Sequence, residues 1–231
     1  MLVSGARSLY ESSGPATGRI IDGAEPMPQI VIATRHSEEF AEVMALLAAQ
    51  GWEGVSPEGA DAADVPYNQG GSTHRLQAEN RARAFAEASG LPALALATAL
   101  QVYALDQGPG LRTHDYAGAN ATDAENRATL LNVMKRTPTG QRIALFQASA
   151  ALAVPGEEKA RVTSATLECE VTPQERGEGG HSYDCVIQLQ TRKTLAEMDE
   201  AERTALGHRG MAMKQMQKHL RELADRLAVG S

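Results

Sequence analysis

A short apolar run followed at once by an amphipathic helix is the feature that most limits the fold of this chain. Residues 29–34 read Gln-Ile-Val-Ile-Ala-Thr, a pattern typical of a strand that is buried on both faces. Directly after it, Phe40, Val43 and Leu47 recur at spacings of three and four residues, which predicts an amphipathic helix with Ser37 as its N-cap. A buried strand that leads straight into a helix is the opening of an α/β fold.

The rest of the chain continues to alternate strand and helix signals. Periodicity and breakers predict helices at 74–88 (ending at Gly90), at 123–135, and along a C-terminal apolar seam of Met213, Met216, Leu220, Leu223 and Leu227. Short apolar runs predict strands at 52–56, 93–97, 100–105, 142–151, 161–171 and 183–189. Gly108-Pro109-Gly110 is predicted to be a turn.

Composition excludes several classes of partner. The 231 residues contain 22 Lys and Arg against 29 Asp and Glu, so the formal net charge is −7. This balance leaves no basic stripe for a phosphate backbone, and we expect no nucleic-acid partner. No apolar run reaches the roughly 18–20 residues that cross a bilayer, so we expect no membrane span.

The organisation predicted from the sequence is a leader followed by one domain. Residues 1–28 are rich in Gly, Ser and Pro and show no periodicity, which is typical of a flexible segment. Residues 29–231 are long enough for a single α/β domain. The two cysteines, Cys169 and Cys185, do not make a disulfide framework, and with the absence of a signal sequence they favour the cytoplasm.

The order and spacing of short motifs along the chain resemble those of one known family. The matching residues are Ile30–Arg35, Glu79-Asn80, Gly108-Pro109-Gly110, Asp115–Gly118, Asn126, Arg142, Phe146, Tyr183-Asp184, Thr194 and Gly207–Gly210. Together they resemble the house-cleaning pyrophosphatases that cleave inosine and xanthosine triphosphates to a monophosphate and pyrophosphate. The resemblance implies an elongated, two-lobed α/β fold with a mixed sheet, flanking helices, a central nucleotide cleft and a homodimeric assembly.

The base-binding residues of that family have counterparts here. The resemblance implies that a 6-oxopurine base is held by five side chains, namely Tyr183, Asp184, Arg203, His208 and Arg209. Several neighbours differ from the family pattern. Gly207 replaces a serine, Arg203 stands where a lysine is expected, and His181 replaces the phenylalanine of a Phe-Gly pair.

The phosphate side differs more. The resemblance assigns Thr34 and His36 to this side, but Glu39 stands where a phosphate-binding lysine is expected, and Leu96 and Ala97 stand at the acidic pair that holds Mg²⁺. Apolar side chains supply none of the oxygen ligands that Mg²⁺ needs. The candidate replacement ligands are His36, Glu38, Glu39 and Asp64, with Asp106 and His114 as further candidates. A metal site that contains histidine would favour Mn²⁺.

Three functions remain open on this basis. The first is an active nucleotide pyrophosphatase with a rebuilt metal site. The second is a purine nucleoside- or nucleotide-binding protein that has lost catalysis, which explains why the base side is kept and the phosphate side is not. The third is a repurposed enzyme acting on a purine nucleoside, with His36 or His114 as the acid–base group. Pairing with an active paralogue is an alternative to the homodimer.

Overall fold

The structure is a computed structural model that describes residues 27–229. Its parallel part is built from the strand–helix unit at the start of the sequence. β1 (Gln29–Ile32) leads into α1 (Ser37–Ala48), and the chain returns through β2 (Glu53–Val55). β1 pairs in parallel with β2 on one side and with β3 (Ala93–Val102) on the other.

The remaining strands are antiparallel and lengthen the sheet. β3 pairs with β5 (Ile143–Ala153), which pairs with β6 (Arg161–Val171), and β6 pairs with the short β7 (Ile187–Gln188). β4 (Gly108–Gly110) adds to the far end of β3. The result is a mixed, seven-stranded sheet in the order β2-β1-β3-β5-β6-β7, with β4 beside β3. The predicted α/β class with a mixed sheet and flanking helices is therefore confirmed.

Helices cover both faces of the sheet. α2 (His74–Ser89) packs on β3 and β5 through an alanine-rich layer, whereas α5 (His208–Val229) packs through leucine and methionine side chains on the opposite face of β5 and β6. Successive side chains of a strand point to opposite faces, so in β3 Leu96 joins the α5 layer and Ala97 joins the α2 layer. α3 (Asp123–Val133) and α4 (Glu200–Leu206) complete the helices.

Three local predictions are corrected by the structure. The strands predicted at 93–97 and 100–105 form one strand, because β3 pairs with β5 without interruption from Ala93 to Val102. Gly108-Pro109-Gly110 is a short strand rather than a free turn, since it pairs with the end of β3. The N-cap of α1 is His36 and not Ser37, whose hydroxyl instead donates to Glu38 in the first turn.

The predicted leader, residues 1–28, lies almost wholly outside the described residues. Among the helices that the structure describes, none is long and apolar enough to cross a membrane.

Candidate functional site

Three elements, the start of α5, the loop before β7 and α1, bring four charged or polar side chains together. Arg209 donates from Nη2 to Oδ2 of Asp184 at 2.6 Å and from Nε to Oε2 of Glu42 at 2.9 Å. Glu42 lies on α1, and the same carboxylate oxygen is 2.8 Å from Nε2 of His181. The backbone N–H of His181 donates to Asp184 Oδ2 at 3.1 Å. We call His181, Asp184, Glu42 and Arg209 the clasp, because it ties α1 to α5 and to the loop before β7.

The charges of the clasp stabilise one another. Burial would raise the pKa of Glu42, but Arg209 and His181 lower it to about 2. Burial works against the charge of Arg209, yet Asp184 and Glu42 hold the pKa of its guanidinium above its ordinary value. The clasp therefore places one buried guanidinium between two carboxylates, an arrangement that satisfies a buried charge.

A buried histidine lies next to the clasp. The ring of His208 stacks on Phe146, with the ring centroids 3.7 Å apart and the planes at 24°. Burial, and then the positive charge of Arg209, lower the pKa of His208 well below its ordinary value, so the ring is neutral at pH 7. Tyr183 packs edge-on against Phe146, and its hydroxyl donates to the carbonyl of Thr113 at 2.9 Å. Packing against Phe146 fixes the orientation of the His208 and Tyr183 rings.

Three polar atoms of this cluster have no partner among the described residues. They are Oδ1 of Asp184 and both ring nitrogens of His208, in side chains that are each 1% exposed. Buried polar atoms are nearly always hydrogen-bonded in native proteins, and an unmet one costs about 1–3 kcal/mol. A carboxylate oxygen only accepts, whereas a neutral imidazole offers one donor and one acceptor. These atoms are therefore the unmet hydrogen-bonding groups of the cluster.

Two glycines make this close packing feasible. Gly180 has φ +73°, and a Cβ there would lie 2.2 Å from Asp184 Oδ2. A Cβ at Gly207 would lie 2.5 Å from the carbonyl oxygen of Arg203, so the serine that the family resemblance places at this position does not fit the present backbone. Gly180 therefore permits the tight turn onto Asp184, and Gly207 permits the close junction between the end of α4 and the start of α5.

Arg203, predicted as a base contact, serves the backbone in this structure. Its Nη1 donates to the carbonyl of Met198 at 2.8 Å and to that of Leu195 at 3.5 Å. The side chain holds the turn before α4, and within residues 27–229 it forms no hydrogen bond or ion pair with the clasp.

The residues that the resemblance assigns to the phosphate side lie among aromatic rings and hydroxyl groups, with the carboxylate of Glu39 buried on the same helix. The ring of His36, at the start of α1, lies 5.8 Å from that of His114 and 5.9 Å from that of Tyr67, centroid to centroid. Nε2 of His114 is 2.9 Å from the hydroxyl of Thr98, and burial, then the charges of His36 and Arg81, lower its pKa to about 4. Thr34 is buried, and its hydroxyl accepts from the backbone N–H of His36 at 3.2 Å.

A buried arginine from α2 lies against Tyr67, beside the rings of His36 and His114. Nη1 of Arg81 donates to the carbonyl of Leu96 at 2.7 Å and to the hydroxyl of Tyr67 at 2.8 Å, and Nε donates to the carbonyl of Tyr67 at 3.0 Å. The guanidinium carbon lies 3.7 Å from the centre of the Tyr67 ring. An arginine placed this way saturates backbone groups and brings a fixed positive charge to the site.

Comparison with known proteins identifies the family. A family model described as the Ham1 family matches residues 30–219. The chain is 35% identical over 202 residues to the dITP/XTP pyrophosphatase of Geobacillus kaustophilus, covering 85% of this chain and 96% of the relative. The chain belongs to the Ham1 family.

Other similar proteins also support membership of the Ham1 family. The dITP/XTP pyrophosphatase of Geobacter sulfurreducens is 34% identical, covering 84% of this chain and 97% of the relative. Among solved structures, a HAM1 protein from Coxiella burnetii has a TM-score of 0.73 at 32% identity and covers 85% of this chain and 100% of its own. The Staphylococcus aureus Ham1 protein has a TM-score of 0.69 at 26% identity, covering 84% and 98%.

Ham1 enzymes are generally dependent on divalent cations, but the residues of this chain do not fit such an ion. Magnesium takes near-octahedral oxygen ligands at about 2.0–2.1 Å. Between residues 27 and 229, no three His, Cys, Asp or Glu side chains come together in a way that could hold a metal. Leu96 and Ala97 are buried in apolar layers, and the Leu96 carbonyl is bound by Arg81.

The predicted metal candidates are spread over different surfaces. Glu39 is buried on α1, Glu38 points to solvent, and Asp64 lies in an exposed turn whose flanking carbonyls accept from Arg35. Asp106 ends the turn after β3 and is exposed. His36 and His114 lie side by side.

The structure adds two residues that sequence reasoning missed, Glu42 and Arg81. Each lies on an amphipathic helix where a charged residue is usually solvated. Glu42 meets partners 139 and 167 residues further along the chain. Local sequence carries no signal for such distant pairs.

Proposed function

We propose that this Ham1-family chain binds a 6-oxopurine nucleoside or nucleotide through Tyr183, Asp184, His208 and Arg209, and that it does not catalyse metal-dependent pyrophosphate release. The observation that carries the proposal is the set of unpartnered, buried polar atoms on Asp184 and His208. A ligand that meets these atoms removes their desolvation cost, which favours binding at this position.

The chemistry of these atoms favours an oxopurine over adenine. A 6-oxopurine offers an acceptor at O6 and a donor at N1, whereas adenine offers a donor at N6 and an acceptor at N1. The Asp184 carboxylate, paired with Arg209, offers an acceptor that suits the N1–H of the oxopurine, and the N–H of neutral His208 suits O6. Adenine at the same place would set two acceptors against each other.

The phosphate side supports the second part of the proposal. Pyrophosphate release from a triphosphate needs charge neutralisation and an oriented water, which a divalent cation ordinarily supplies. Here the described residues gather no ligand group for the ion, and Glu39 adds a buried negative charge. Such a site suits a ligand with fewer phosphates than a triphosphate.

Calorimetric titration of the full chain with IMP, XMP and AMP tests the proposal. We expect IMP and XMP to bind and AMP to bind at least tenfold more weakly, a difference of about 1.4 kcal/mol. His208→Ala should weaken IMP binding by more than tenfold, whereas His219→Ala, at a half-buried position further along α5, should leave it unchanged. Equal affinity for IMP and AMP would contradict the assignment of the base pocket.

An active dITP/XTP pyrophosphatase is the second candidate function. The curated relatives named above carry that activity in their names, and the neighbouring rings of His36 and His114 are the best remaining candidates for a rebuilt catalytic group. Release of pyrophosphate from dITP that is lost in His114→Ala, while IMP binding is retained, would favour this function.

We further propose a cytoplasmic homodimer. The exposed side chains of Tyr103 and Ile143 are 52% and 51% accessible and, with Leu145, line one shallow groove. Contiguous apolar surface of this kind is typical of association sites. Light scattering of the purified chain tests the assembly: a dimer that Ile143→Glu dissociates supports this face, and a monomer contradicts it.

A further inference from the structure

A short glycine-rich loop lies against the buried carboxylate of Asp184. We propose that this loop, residues 177–182, is a lid that opens before a ligand reaches the carboxylate, and that the hydrogen bond between His181 of the lid and Glu42 of α1 is the latch that holds it closed. The inference deepens the proposed function and rests on it for the identity of the ligand.

The first support is the order of burial along the clasp. The side chain of Glu42 is 19% exposed and that of His181 is 10% exposed, whereas those of Arg209 and Asp184 are 4% and 1% exposed. Glu42 and His181 therefore lie on the solvent side of the clasp, and Asp184 lies beneath them. Since Oδ1 of Asp184 is buried from water, it is closed to a purine as well, and binding there requires a movement of the chain.

The second support is the direct contact between the lid and Asp184. The backbone N–H of His181 donates to Oδ2 of Asp184 at 3.1 Å, and a Cβ at Gly180 would lie 2.2 Å from the same oxygen. On the other side of the lid, Gly177, Glu178 and Gly180 are exposed to solvent. The lid is therefore a thin cover, and loops with few buried contacts open at a low cost in free energy.

The third support is the strain that the closed lid carries at Ser182. Its φ of +57° lies in the left-handed region, which is unfavourable for a residue with a Cβ. Its hydroxyl is buried without a partner among residues 27–229, a further cost that exposure to water would remove. Its N–H donates to Oδ2 of Asp123 at 2.8 Å, and its carbonyl accepts from Nη1 of Arg127 at 2.8 Å. Specific contacts, and not the preference of its own backbone, therefore keep the lid closed.

The latch is the contact that ties the lid to α1. The pKa of Glu42 is about 2, so its carboxylate only accepts, and Nε2 of His181, 2.8 Å away, donates the hydrogen bond. A hydrogen bond to a charged group is roughly twice as strong as one between neutral groups. The family resemblance places phenylalanine at position 181, and phenylalanine has no donor, so the latch is a feature of this chain.

Hydrogen–deuterium exchange of the full chain without ligand tests the latch, so that the outcome does not depend on any nucleotide. The proteins compared are the parent chain, His181→Phe and the matched control His219→Phe. His219 also lies beside a glutamate, with Nδ1 3.3 Å from Oε2 of Glu222, but it is about 15 Å along α5 from Arg209. Thermal unfolding establishes that each variant is folded.

We expect the lid amides of His181→Phe to exchange about tenfold faster than those of the parent chain, because losing the latch raises the open population. Gly179 and Ser182 report the opening, since their N–H groups donate to the carbonyl of Ala196 at 3.0 Å and to Asp123 at 2.8 Å. Equal exchange in His181→Phe and the parent chain would overturn the inference, and so would an equal acceleration in His219→Phe. If His181→Phe does not fold, Glu42→Gln gives the same comparison with the same expected result, because it removes the charge of the acceptor.

Stopped-flow mixing with IMP measures entry of the ligand. If the lid opens before binding, the association rate follows the open population, so we expect IMP to associate with His181→Phe at least fivefold faster than with the parent chain. Equal or slower association with the folded variant would overturn the inference. If no purine compound binds any of these proteins, the proposed function fails, while the exchange comparison still decides whether the latch holds the lid.

Discussion

Replacing Asp184 by Asn tests the base pocket at the atom that defines it. The substitution keeps the shape of the side chain and removes its charge. The amide oxygen will face Arg209, which only donates, so the NH₂ group will take the place of the unpartnered Oδ1. An acceptor for the ligand thereby becomes a donor.

The structure sets the expected magnitudes. A hydrogen bond to a charged group contributes about 1.5–3 kcal/mol, so IMP binding should weaken by roughly ten- to more than a hundredfold. Binding of AMP, whose N1 is an acceptor, should weaken less than that of IMP or become tighter. Breaking a fully buried ion pair costs about 3–5 kcal/mol, but Arg209 keeps Glu42 as a partner, so the stability loss should stay near 2 kcal/mol.

Calorimetric titration with IMP and AMP, combined with urea unfolding, measures both effects. Glu222→Gln is the matched control, because Glu222 lies on α5 in an exposed pair with Lys218 and such pairs contribute little. Unchanged titration curves for Asp184→Asn, or an equal loss for IMP and AMP, would refute the pocket assignment.

Three further predictions concern the packing around the site. Glu42→Gln should lower the unfolding free energy by about 1–2 kcal/mol, since one carboxylate oxygen serves both His181 and Arg209; no change in a urea titration would contradict the clasp. Gly210→Ala should cost about 3 kcal/mol or more, because its Cβ would lie 1.9 Å from the carbonyl oxygen of Thr204; a melting temperature equal to the parent's would contradict this packing. The free energy of unfolding should fall as the pH drops below about 6.5, because His208 binds a proton in the unfolded chain but not in the folded one; the loss is up to about 1.4 kcal/mol per pH unit. Urea titrations at several pH values should show that the unfolding free energy of His208→Gln depends less on pH than that of the parent chain. An equal pH dependence would contradict the assignment.

The fold was predictable where local pattern and tertiary structure agree. β5, β6, α1 and α5 follow their hydrophobic periods. The continuity of β3 did not show in the sequence, because small residues at 97–99 weaken the pattern and pairing with β5 maintains the strand. α4 was missed, although its capping box of Asp199 and Glu202 is a local signal that marks a helix start.

The site was predictable only in part. Tyr183, Asp184, His208 and Arg209 came from the family resemblance, and the structure brings Asp184 and Arg209 into direct contact and His208 onto Phe146. Arg203 was expected beside them but supports the turn before α4. Such differences depend on side-chain partners chosen after the chain has folded, which spacing along the sequence does not encode.

Pyrophosphate release from dITP and XTP in the presence of Mg²⁺, and then Mn²⁺, tests the central claim most directly, when it is measured on the same samples in which IMP binding is titrated. Asp184→Asn, purified in parallel, controls for contaminating enzymes. Binding of IMP by the parent chain without pyrophosphate release above that of the variant is the predicted result. Metal-dependent release that the parent chain shows and the variant lacks would contradict the account.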